Sequence, residues 1–257
     1  MTVFEQKGGD MLKRIRKKIY GPTRKLVRNF TPELNVNQRS IRYLLEKKAV
    51  EEIVDYIHKN MGDSQGFEDR NDYFDYVIPK ASKEGEFLEF GVASGRSINY
   101  IARLVDKECH GFDSFEGFPD DGIIPKPKAQ TERRTGVKWF VGKQKHKVPQ
   151  VEDNVILYKG WFGNTIPEFL KKFDKNVALI HVDCDIYSST KTVFDNLATK
   201  IAPGTIIMFD EYFGYFEWKQ NEFKAFHEFV EKYHVSYEYI AYTYHGCVAL
   251  KINAITS

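Results

Sequence analysis

Absences set the first limits on this 257-residue chain. Cysteine is scarce: Cys109, Cys184 and Cys247 are odd in number and far apart. They form neither a disulfide framework nor a paired-cysteine zinc site, so a reducing compartment is expected. No apolar run approaches the roughly 18 residues of a membrane span. The N-terminus lacks the apolar core of a signal peptide, and the expectation is a cytoplasmic protein. Internal repeats and low-complexity tracts are missing as well. So is the G-x-G-x-x-G turn of a dinucleotide fold, which disfavours a nicotinamide oxidoreductase.

What is present is an ordinary globular composition, with 42% hydrophobic and 29% charged residues, which excludes whole-chain disorder. The 20 Phe and 15 Tyr supply bulk for a core and an aromatic-lined pocket. A net charge of only +2 conceals an asymmetry. Residues 1–30 hold nine Lys/Arg against Glu5 and Asp10, a local +7 that leaves −5 on the rest. Residues 1–36 read as a basic appendage. It acts as a solvated arm or an oligomer contact, with a membrane surface as the weaker alternative. No nucleic-acid-binding module is recognisable, and a homo-oligomer is expected.

Residues 37–80 read as a helical extension. Ile41, Leu44, Leu45, Ala49, Ile53 and Ile57 recur at helical spacing, with Ser40 as cap and Gly62 past the end. Residues 81–257 read as an α/β domain. Strands are predicted at Phe87–Gly91, Cys109–Phe112, Val155–Tyr158, Val177–Val182, Thr205–Phe209, Tyr237–Ala241 and Gly246–Ile252. Helical patterns lie between most of them, near 96–105, 165–173, 188–200 and 217–233. Such alternation predicts a mainly parallel sheet with helices on both faces. The short link Tyr242–His245 makes the last two strands an antiparallel pair. Residues 120–150 break the rhythm and carry eight Lys/Arg between Lys126 and Lys147 against Glu132. They read as a lid-like insertion or as a solvated basic loop.

Three motifs carry the chemistry. FLEFGVASGRS (87–97) ends a strand on Glu89 and turns through Gly91, Ala93, Ser94 and Gly95 into a helix that begins near Ser97. Glycines there let the backbone pass close to a ligand. HGFDSFEGFPDD (110–121) sets Asp113 at the next strand end, where a carboxylate can accept two ribose hydroxyls. Ser114 and Phe115 follow and can border a base. HVDCDIYSST (181–190) brings Asp183 and Asp185 out of a buried strand, and the following strand ends in Asp210-Glu211. Four carboxylates at one sheet edge repel one another unless a cation or proton intervenes. A hard divalent ion with oxygen ligands, Mg²⁺, resolves that conflict. The alternative leaves some of these acids as caps or in water.

GVASGRS, FDSFEGFP, KGWFGNTIP (159–167), HVDCDIYSST and DEYF (210–213) stand in the order seen in the macrocin O-methyltransferase family. Over about residues 85–252 the chain resembles that family, which includes the mycinamicin and novobiocin sugar O-methyltransferases. The resemblance implies a class I methyltransferase fold, a Rossmann-like seven-stranded sheet ordered 3-2-1-4-5-7-6. It also implies S-adenosylmethionine and Mg²⁺ as cofactors and a sugar hydroxyl as acceptor. Asp183, Asp210 and Glu211 map onto the metal ligands, although the usual pair is Asp-Asp. Glu89, the Gly91–Ser97 turn, Asp113, Ser114, Phe115, Trp161 and Asp183 map onto the cofactor edge. Asp183 or Asp185 is the candidate catalytic base, with His181 and His245 behind them. Tyr212, Phe213, Tyr215, Phe216 and Trp218 form either a stacking platform for the acceptor or a core-facing helix start. The basic 126–147 segment favours a nucleotide- or phosphate-linked sugar. The rival readings are a catechol-type O-methyltransferase and a nucleoside-binding module without catalysis.

Overall fold

A computed structural model describes residues 41–119 and 147–256. The basic appendage, Ser40 and residues 120–146 of the insertion lie outside the described residues. The chain divides into two contact units, Met1–Lys48 and Ala49–Ser257. Helix α1 (Ile41–Asn60) begins in the first unit. Its predicted apolar stripe is buried only in part. Ala49 and Ile53 are core residues, whereas Ile41 and Leu44 are exposed.

The second unit continues as β1 (Gln65–Phe67), α2 (Arg70–Val77), β2 (Glu86–Phe90), α3 (Arg96–Leu104), β3 (Cys109–Asp113), β4 (Val155–Lys159) and α4 (Phe162–Leu170). It then runs through β5 (Val177–Val182), α5 (Tyr187–Leu197), β6 (Ile206–Phe209), α6 (Glu222–Lys232), β7 (Ser236–Thr243) and β8 (Val248–Ala254). The strands form one sheet ordered β1-β7-β8-β6-β5-β2-β3-β4. Apart from β1, this is the order expected. Strands β2 to β6 pair in parallel, and β8 runs antiparallel to both β6 and β7. The expected count of seven is corrected to eight. The extra strand, β1, pairs in parallel with β7 through Gln65↔Ala241 to Phe67↔Thr243. Three residues, two of them Gln and Gly, are too few to show a strand period in sequence.

Both sheet faces are buried, which is why β5 and β6 read as nearly continuous apolar runs, whereas β2 buries Glu86 and Glu89 among its apolar residues. One face carries Leu88, Phe90, Ile180, Val182 and Phe209 against Phe194 of α5 and Phe226 and Phe229 of α6. The other carries Phe87, Leu179 and Met208 against Tyr73 and Phe74 of α2 and Ile98 and Ile101 of α3. Phe90, Phe112 and Tyr158 sit in register on β2, β3 and β4. Their rings stack at 4.8 and 4.7 Å. Each such contact adds about 0.5–1.5 kcal/mol beyond area burial. The ladder holds the strand ends that carry the site at a fixed spacing. All three cysteines are free and buried. Among the described residues no helix is long and apolar enough to cross a membrane.

Candidate functional site

The chain turns sharply at the carboxyl end of β2. Gly91 has φ 99°, and a Cβ there would lie 1.8 Å from the Asp183 carbonyl oxygen. Only glycine permits this approach of β2 to β5, locked by the Asp183 amide donating to Phe90 O at 2.9 Å. Ala93 follows at φ 44°, a left-handed conformation that costs a non-glycine residue about 1–3 kcal/mol. Gly95, also left-handed, caps α3.

Asp113 ties this turn to the next one. Its Oδ2 accepts from Ala93 N at 2.8 Å, and its Oδ1 accepts from Phe115 N at 2.6 Å. Each oxygen keeps a second lone pair. Ser114 closes its own turn by donating to Gly117 O at 2.8 Å, and the Phe115 ring lies in the core. Ser94 and Trp161 are exposed at the same edge.

Glu89, inside β2, is 1% exposed, unlike the part-exposed Asp113, Asp183 and Asp210 at the strand ends. Its Oε1 accepts from Ser97 Oγ at 3.0 Å, and its Oε2 faces His181 Nδ1 at 3.0 Å. Both oxygens point into the fold and hold the turn from beneath. His181 thus belongs to the sheet interior, as its place in β5 predicts.

Asp183 and Asp210 follow β5 and β6 and converge. One ligand atom from each, together with one from His181, falls within 4.8 Å of the others. Burial, reinforced by Asp210 and Asp185, holds the Asp183 carboxyl well above the usual carboxylate range. Asp185, at φ 60°, is not one of this trio of clustered ligand atoms and is hydrogen-bonded to Glu211, while still feeling the charge of Asp210. Burial pushes Asp185 up to about 6 and Glu211 up to about 8. Such a carboxyl pair is stable when it shares a proton. The four acids therefore form two pairs, Asp183 with Asp210 and Asp185 with Glu211. His245 is not part of the clustered His181, Asp183 and Asp210 group. Tyr212, Phe213 and Trp218 are buried core residues, which corrects the platform reading for those three.

Three residues of the site carry no motif. Arg70, the first residue of α2, brings Nη2 to 2.7 Å from Asp210 Oδ1 and 3.6 Å from Asp183 Oδ2. Tyr73, one turn further on, buries a hydroxyl that has no hydrogen-bond partner among the described residues. Glu222, fully buried on α6, accepts from Cys184 N at 3.4 Å and from Glu211 N at 3.1 Å. Its carboxyl joins the two loops that bear the acids. Glu222→Ala leaves two buried amides without acceptors, each costing about 1–3 kcal/mol. The expected drop in melting temperature is about 5–15 °C. An unchanged thermal melt contradicts this bridging role.

A family model described as a methyltransferase domain matches residues 88–212. The chain is 27% identical over 143 residues to the 8-demethyl-8-(2,3-dimethoxy-alpha-L-rhamnosyl)-tetracenomycin-C 4'-O-methyltransferase of Streptomyces olivaceus, covering 50% of this chain and 53% of that protein. It is 28% identical over 141 residues to the demethyldecarbamoylnovobiocin O-methyltransferase of Streptomyces niveus, again 50% and 53%. The chain thus matches only about half the length of these curated relatives. In fold it is similar to the O-methyltransferase NovP, with TM-score 0.52 and 21% identity over 72% of this chain and 79% of that one. It is also similar to the calicheamicin methyltransferase CalS11, with TM-score 0.51 and 20% identity over 70% and 76%.

Proposed function

We propose, from the match of residues 88–212 to a methyltransferase-domain model, that the protein is an S-adenosylmethionine-dependent O-methyltransferase acting on a sugar hydroxyl with the help of Mg²⁺. The observation that carries this reading is the convergence of Asp183 and Asp210 at the strand edge, next to the Gly91 turn. The rhamnosyl tetracenomycin acceptor of one relative supports a sugar-bearing small molecule, and the other relative methylates demethyldecarbamoylnovobiocin.

The donor set suits both groups. Asp113 keeps a second lone pair on each oxygen, enough to accept from a pair of vicinal hydroxyls, as a ribose presents. Two hard oxygen donors converge on a position where Arg70 already places positive charge, so the pair is built for a cation. Asp183 and Asp210 would hold the metal, with Glu211 adjacent through its hydrogen bond to Asp185. When bound, Mg²⁺ supplies Lewis-acid activation of the acceptor hydroxyl, and S-adenosylmethionine supplies the methyl group.

The chain's own residues do the rest. In-line displacement needs alignment above all. The Gly91–Gly95 turn and Trp161 border the cofactor, with Glu89 and Ser97 fixing the turn from within the fold. Ser114 and Phe115 shape the neighbouring turn. Asp185, held near neutrality by burial, is matched to taking the acceptor's proton, and Glu211 steadies the carboxyl that receives it.

The test is transfer of a labelled methyl from S-adenosylmethionine to a panel of sugars, their nucleotide-linked forms and vicinal phenols. Label on a sugar, lost with EDTA and restored by Mg²⁺, is expected. Transfer only to phenols favours the catechol-type reading. Turnover that survives EDTA removes the cation from the account.

A further inference from the structure

The positive charge at the candidate metal position is supplied by the chain itself. Arg70 stands at the start of α2, directly after β1, which is docked on the sheet through its pairing with β7. The guanidinium reaches both Asp183 and Asp210 and stacks over the Phe74 ring at 5.1 Å. Yet it is held by charge more than by directed bonds. Its Nε and Nη2 are buried and meet no acceptor in hydrogen-bond geometry among the described residues. An arginine committed to a carboxylate uses its planar fork in two parallel hydrogen bonds. Arg70 does not. A second unfilled group lies close by. The Tyr73 hydroxyl, under the field of Asp210 and Arg70, is wholly buried and unpartnered among the described residues. A buried orphan of this kind marks a place where a ligand or water belongs.

We propose that Arg70 is a resident counter-ion of Asp183 and Asp210, and that a divalent cation enters only by displacing its guanidinium. The inference rests on the metal-assisted reading above. Arg70 Nη2 lies 2.7 Å from Asp210 Oδ1 and 3.6 Å from Asp183 Oδ2, so it occupies the oxygens that a divalent ion would use, and the two like charges repel at that distance. One leaves when the other arrives. Arg70 therefore weakens metal binding in the resting protein and keeps the acids compensated when no metal is bound. The segment β1–α2 thereby gains a role that its sequence does not announce: it carries the residue that competes with the metal.

The test is Mn²⁺ binding to the full-length chain, followed by electron paramagnetic resonance and calorimetry without substrate. Arg70→Gln is expected to tighten the Mn²⁺ dissociation constant at least tenfold, about 1.4 kcal/mol. Arg70→Lys falls between that and the parent, since lysine keeps the charge. Saturating Mn²⁺ should raise the melting temperature more in Arg70→Gln than in the parent, a readout that also reports whether the variant is folded. Equal or weaker Mn²⁺ binding by folded Arg70→Gln overturns the counter-ion role while leaving metal assistance standing. Tight Mn²⁺ binding that survives Asp183→Asn in the Arg70→Gln background overturns both, because the ion then sits elsewhere. Absence of Mn²⁺ binding by every variant likewise overturns both.

Discussion

Asp183→Asn is expected to lower methyl transfer by about 10³-fold or more, while S-adenosylmethionine binding changes by less than about threefold. The substitution keeps the shape of the side chain and removes its charge. In the proposed site that charge serves the cation, through convergence with Asp210. The backbone amide of Asp183, which locks β5 to β2, is untouched, so the cofactor turn should survive. Calorimetry with S-adenosylhomocysteine beside a labelled-methyl assay separates the two effects. Lost cofactor binding with retained turnover of bound cofactor would reverse the assignment. Asp185→Asn should also be slow, yet should keep its metal affinity, because Asp185 pairs with Glu211 and stands outside the His181, Asp183 and Asp210 group. A large loss of Mn²⁺ binding in Asp185→Asn contradicts the division of the acids into two pairs.

Gly91→Ala is the second large effect and is structural in origin. A methyl group 1.8 Å from the Asp183 carbonyl oxygen cannot be accommodated by side-chain motion, because the obstacle is backbone. Either β2 and β5 separate at their ends or the turn changes conformation. The cost should exceed about 4 kcal/mol, the exceptional end of single substitutions. At about 2–4 °C per kcal/mol, that is a fall in melting temperature of at least roughly 8–16 °C. Gly204→Ala is the matched control. It shares a left-handed conformation, at φ 94°, but nothing lies within 4 Å of the added methyl. Its loss should be confined to conformational strain, about 1–2 kcal/mol. Similar losses for the two variants would mean that strain, not the close approach, accounts for Gly91.

The contrast between these residues and Arg70 shows what the sequence discloses and what it withholds. Strands β2, β3, β5 and β6 are legible because both of their faces are buried, and each carries an acid at or near its carboxyl end: Glu89, Asp113, Asp183 and Asp210. The turn at Gly91 is legible because a glycine directly after a buried strand marks a sharp bend or a close approach of backbone. What stays hidden comes from elsewhere in the chain. Arg70 precedes Asp210 by 140 positions in sequence and resembles any surface arginine of a short amphipathic helix. Glu222 resembles an ordinary first-turn acid of α6, and only its burial reveals the amides it joins. The inward direction of Glu89 is likewise invisible, because motif spacing fixes which strand end a residue occupies but not which way its carboxyl faces. The partly exposed stripe of α1 has a related cause. Helical periodicity identifies a face, and only the packed partner determines how far along the helix that face is buried.

The most direct measurement is anomalous scattering from a crystal grown with Mn²⁺ and S-adenosylhomocysteine. The account predicts one strong manganese peak contacted by carboxylate oxygens of Asp183 and Asp210, close to the cofactor sulfur at the Gly91 turn. Manganese bound away from this carboxylate pair, or a fully ordered cofactor complex in which both acids remain on Arg70 and no manganese is bound, would contradict it.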